Sequence, residues 1–67
     1  MNKKQIEKSL TKYNIDYNLV VEHTSNSIEV LLNSSILDYN QLKLFAESVN
    51  KNIYVNFYDK SLIVKEI

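Results

Sequence analysis

The sequence predicts an α+β fold, a two-layer α/β sandwich with two helices on one face of a four-stranded, mainly antiparallel sheet. Three observations point there. A helix-start signature occurs twice, over 2–6 and again over 38–42. Each is followed by apolar residues at helical spacing, then by runs in which apolar and polar residues alternate. The chain has only 67 residues, room for one small domain over 1–67. The order reads αββαββ, a pattern-level pseudo-duplication of units 1–33 and 37–67.

The first helix opens at Asn2, a good N-cap. Gln5 stands at N3 to close a capping box, and Met1 and Ile6 are spaced for a hydrophobic staple. Ile6, Leu10 and Tyr13 form its apolar stripe, and Asn14 marks its end because Asn tolerates left-handed backbone. Ile15, Tyr17, Leu19 and Val21 then alternate with Asp16, Asn18 and Glu22, the period of a strand. Past His23-Thr24-Ser25-Asn26, a second strand alternates Ile28, Val30 and Leu32 with Ser27, Glu29 and Asn33.

The second unit repeats this grammar. Asp38 caps, Gln41 closes a box, and Leu37 can staple to Leu42. Leu42, Phe45, Ala46 and Val49 form the stripe, and Asn50 ends it. Ile53, Val55 and Phe57 alternate with Asn52, Asn56 and Tyr58, and an Asp59-Lys60 turn leads to Leu62 and Val64. The chain has no glycine. That turn must therefore hold a non-glycine residue at positive φ or use a type I turn with a bulge.

Composition excludes several classes of chemistry. Without cysteine there is no disulfide and no thiolate metal site. Without glycine there is no P-loop, dinucleotide fingerprint or nucleophile elbow. No apolar run reaches the ~18 residues of a membrane span, and the start MNKKQIEKSL lacks a signal-peptide core, so a cytoplasmic protein is expected. Eight Lys balance eight acids, which turns attention from electrostatics to apolar surface. Abundant Asn, Lys and Ile without Arg suit an AT-rich genome, such as a low-GC bacterium or its phages and mobile elements.

The core is assigned to the helix stripes and to Ile15, Tyr17, Leu19, Val21, Ile28, Val30, Leu32, Ile53, Val55, Phe57, Leu62 and Val64. The opposite sheet face should be polar. It instead receives Val20, Leu31, Tyr54, Tyr58, Ile63 and, at the terminus, Ile67, among Asp16, Asn18, Glu29, Asn56 and Lys65. The bland reading is scattered edge residues. The sharper one is a contiguous apolar patch that binds a partner, with Val20, Leu31, Tyr54, Tyr58 and Ile63 as its members.

Other features favour bland readings. Lys4, Lys8 and Lys12 form a basic stripe, but the balanced charge and absent Arg make it a solvated helix face rather than a nucleic-acid reader. Leu44, on the flank of its helix, is expected to pack against the other helix, and Tyr39 to be exposed. His23 reads as an exposed turn residue without a partnered carboxylate. Asp16, Glu22 and Glu29 are not held by their spacing into a cation site.

The expected function is a small non-enzymatic protein–protein interaction module working through its open sheet face or edge. Its partner is a second copy, as a homodimer, or a larger protein that it inhibits or regulates stoichiometrically. No catalytic residue, cofactor or metal is expected. The runner-up is single-stranded nucleic-acid binding by Tyr54 and Tyr58, whose shared parity aims both rings from one sheet face.

Overall fold

In the computed structural model, the chain folds as α1 (Lys3–Lys12), β1 (Tyr17–Thr24), β2 (Ser27–Leu32), α2 (Tyr39–Val49), β3 (Ile53–Tyr58) and β4 (Ser61–Glu66). The structure describes residues 2–35, 37–49 and 53–67. Met1 and Asn50, expected at a staple and a helix end, lie outside the described residues, as does the side chain of Ile53. The predicted class holds: two helices pack on a four-stranded antiparallel sheet of order β1-β2-β4-β3. That order is unchanged when the two αββ units are exchanged.

The ends of α1 form as their residues dictate. The Asn2 side chain accepts from the Gln5 N–H at 2.9 Å and the Gln5 side chain accepts from the Asn2 N–H at 3.2 Å, closing the box. At the other end Asn14 adopts φ 57°. The Ile15 N–H donates to the Leu10 oxygen at 2.9 Å and the Asn14 N–H to the Thr11 oxygen at 3.2 Å, the paired bonds of a Schellman stop. Ile15 and Leu10 are both buried, supplying the apolar contact that accompanies it. Helix α1 is also tied to the sheet, since its Lys3 N–H donates to Glu22 Oε1 at 3.0 Å, an acid at the positive helix end.

Helix α2 departs from expectation at one residue. Asp38 caps as predicted, its Oδ1 accepting the Asn40 N–H at 2.7 Å. Gln41 does not return to the cap; its Nε2 donates instead to the main-chain oxygen of Tyr13 at 3.2 Å. The last carbonyls of α1 have no partner within that helix, so an amide brought close in space satisfies them.

The core lies between the layers. Ile6, Leu10 and Phe45 from the helices meet Val20, Ile28, Val30, Leu32, Leu62 and Val64 from the sheet, all buried. Tyr17, Val55 and Phe57 pack against them half-buried. Three assignments in β1 are corrected. Leu19, expected inside, is 47% exposed, and Val20, expected on the open face, is 3% exposed in the core. The cause is a register break: Tyr17 faces Leu32 but Leu19 already faces Leu31, so Asn18 is an extra residue. One inserted residue moves every following side chain to the other face, and Val21 follows Leu19 outward.

The hairpin turns work without glycine. Asp59 takes φ 56° in the β3–β4 turn, the first of the two expected solutions. Among the described residues no helix is long and apolar enough to cross a membrane.

Candidate functional site

Strand registers fix the open face as three rows running across the sheet. The first is Leu19, Leu31, Ser61 and Tyr58; the second is Val21, Glu29, Ile63 and Asn56; the third ends as Ser27, Lys65 and Tyr54. Helices cover only the opposite face, so nothing among the described residues lies over these rows. Tyr58 is 81% and Tyr54 54% exposed, Leu31 and Ile63 are partly exposed in the middle of the sheet, and Val21 is partly exposed on the β1 edge.

Of the five predicted partner-binding residues, Leu31, Tyr54, Tyr58 and Ile63 therefore share this surface, and Val20 does not. Leu19 and Val21 take its place. Together Leu19, Val21, Leu31, Ile63 and the two tyrosines give an apolar and aromatic surface where a two-layer fold ordinarily presents polar side chains. Ile67, beyond the last strand, is exposed and stands apart from the rows.

At the centre sits Glu29, and both its oxygens are engaged. Ser61 Oγ donates to Oε2 at 2.6 Å, and His23 Nε2 lies 2.8 Å from Oε1. These bonds, that of Ser61 foremost and that of His23 next, hold the Glu29 carboxyl below its ordinary value of 4.5, against the opposing effect of partial burial. His23 is thus not the unpartnered turn residue expected; it lies in β1 and pairs with a carboxylate. The first break makes this possible, since the extra Asn18 turns His23, like Leu19 and Val21, to the open face; a second break, where Glu22 faces Ile28 and Thr24 faces Ser27, leaves His23 itself an extra residue. Without the Asn18 insertion His23 would fall on the helix side of the sheet, in the phase that Val20 and Glu22 now hold.

The chemistry of the cluster follows from its order. A serine nucleophile needs the imidazole between hydroxyl and carboxylate. Here the carboxylate is in the middle, so Ser61 donates to Glu29 and its oxygen is not aimed at a base. Among the described residues no three His, Asp or Glu side chains converge on a cation site. What the cluster does is cross-link β1, β2 and β4 on the exposed side and hold one negative group in place within an apolar surface.

The remaining candidates settle individually. Lys4, Lys8 and Lys12 are exposed along α1, and Lys12 Nζ lies 5.5 Å from the Tyr13 ring. Leu44, expected against the other helix, is 47% exposed. Gln41, on the same flank of α2, makes the inter-helix contact in its stead. Tyr39 is exposed as expected.

Comparisons with protein-family models, with curated proteins and with solved structures find no match to this chain.

Proposed function

We propose that this chain is a small non-enzymatic interaction module that docks a larger protein on its open sheet face, forming a stoichiometric inhibitory or regulatory complex. One observation carries the reading: Leu19, Leu31, Ile63, Tyr54 and Tyr58 are placed by strand register on one uncovered surface. Large exposed tyrosines are among the side chains that anchor protein interfaces, and aliphatic neighbours exclude water around such anchors. The hydrogen-bonded Glu29 adds one charged feature that a complementary partner can read.

The test is affinity capture from the source cell with three baits: the wild type, Leu31→Lys and Lys8→Glu. The expected result is a protein retained by the wild type and by Lys8→Glu, lost with Leu31→Lys, and reconstituted from purified components as a defined-stoichiometry complex. Equal capture by the wild type and Leu31→Lys sinks the open-face reading.

A second reading has its own observation. Tyr54 and Tyr58 project from the same face of β3, as base-stacking platforms do, each stacked base being worth about 1–3 kcal/mol. The rows supply only Lys65 as a cationic group, and the net charge is zero, which favours protein over nucleic acid. Fluorescence titration with an oligothymidylate at low salt separates the two. Binding that Tyr54→Ala abolishes supports nucleic acid, and a flat titration removes it.

A further inference from the structure

We propose that two copies of this chain join edge to edge through β3, antiparallel about a twofold axis at Val55, making one continuous eight-stranded sheet. The inference is independent of the partner docked on the open face.

Main-chain geometry supplies the first argument. On β4, the Lys60 oxygen accepts from Leu32 and the Glu66 N–H donates to Asn26, so the even-numbered residues of that strand bond toward β2. Alternation then aims Ser61, Ile63 and Lys65 at β3, where they pair with Tyr58, Asn56 and Tyr54. The N–H and C=O groups of Ile53, Val55 and Phe57 consequently point away from the sheet, on the side where β3 has no strand neighbour among the described residues.

The second argument is the contrast between the two edges. Strand β1 is blunted by its register breaks at Asn18 and His23 and carries Glu22, devices that discourage strand addition. Its core-facing Val20 is buried. Strand β3 pairs without a break, carries no charge and no proline, and is built from β-branched and aromatic residues. Its core-facing Val55 and Phe57 are left half-buried. One edge is finished within the chain, and the other is unfinished in both its hydrogen bonds and its packing.

The third argument identifies the occupant. A neutral strand repels no second copy of itself, and an antiparallel arrangement is self-complementary. With Val55 opposite Val55 of the second copy, Ile53 meets Phe57 and the outward groups form about six backbone hydrogen bonds. The half-exposed Val55 side chains cover one another. A twofold contact of this kind uses up the edge of both partners, and with β1 blunted the assembly stops at two.

Sedimentation equilibrium of the full chain tests this. The wild type should rise from 7.9 kDa to twice that mass with concentration and go no further. Val55→Pro should remain a monomer with its β-sheet circular dichroism intact, because the N–H it removes is not in the β3–β4 ladder. Asn56→Lys, which adds a charge at an exposed edge position, should also remain a monomer, and it decides the matter where the proline variant fails to fold. Val55→Cys should oxidise to a covalent dimer while Asn18→Cys does not, since a hydrogen-bonded antiparallel pair sets Cα atoms about 5.5 Å apart, within disulfide reach. Leu31→Lys should dimerise like the wild type. A wild type that stays monomeric at high micromolar concentration, Asn56→Lys that still dimerises, or growth beyond two copies overturns the proposal.

Discussion

Gln41 Nε2 donates to the main-chain oxygen of Tyr13 at 3.2 Å, so the first turn of α2 closes the last turn of α1. One partly buried amide thereby joins two elements whose order in the chain is separated by the whole β1–β2 hairpin. A part-buried hydrogen bond contributes about 1 kcal/mol. Gln41→Ala should lower the melting temperature by about 4–8 °C, the shift that such a loss makes in a domain of this size. A melting curve superimposable on the wild type would show that water replaces the amide without cost.

The swap of Leu19 and Val20 gives a sharp comparison between adjacent residues. Val20→Ala removes buried methyl groups and should cost about 2 kcal/mol. Leu19→Ala, on the open face, should stay within about 0.5 kcal/mol of the wild type. Urea denaturation of the two variants reads this directly, and the reverse ranking would place the break in β1 elsewhere.

Left-handed backbone at Asn14 leads to a third expectation. A residue with a Cβ but no helpful side-chain amide pays about 1–2 kcal/mol in that region, while glycine does not. Asn14→Ala should therefore destabilise by about 1 kcal/mol and Asn14→Gly by much less. Chemical unfolding that ranks alanine equal to or above glycine contradicts the φ of 57°.

Glu29 makes stability depend on acid. Its carboxyl titrates lower in the folded chain than in the unfolded one, whose ordinary value is 4.5. The unfolded state therefore takes up this proton first as pH falls. Stability contributed by Glu29 is present above that ordinary value and is lost as pH drops through it toward the lowered folded value. Glu29→Gln should be less stable than the wild type at neutral pH, and the gap should narrow as pH falls below 4.5. A gap that persists unchanged into acid would locate the effect in packing rather than in the charge.

Much of this molecule was legible from residue types alone. Asn2 with Gln5, Asp38, Asn14 and the Asp59 turn act as capping and turning chemistry requires, and the helix stripes fall on the core. The unread part has one physical origin. Leu19-Val20-Val21 is a run of three apolar residues, so periodicity cannot set its phase, and the preceding Ile15 and Tyr17 set it wrongly. A bulge residue such as Asn18 has no signature of its own, because any residue able to bend the strand can occupy it. The same blindness hid His23 from Glu29. Gln41 satisfied the spacing of a capping box, yet a carbonyl from another helix competed for its amide, and a contact between distant segments leaves no trace in local spacing.

The strand order β1-β2-β4-β3 sets the tempo at which this chain must fold. Hairpins β1–β2 and β3–β4 each join neighbours in sequence, and such hairpins close in about 1–10 μs. The seam between β2 and β4 is different, for it brings Ile28 to Val64 and Val30 to Leu62 across about half the chain. Closing that span has to precede the contacts that reward it, so the central seam is the kinetic bottleneck. Shortening Val30 or Leu62 should slow refolding, whereas trimming Phe57 in the outer strand should chiefly quicken unfolding.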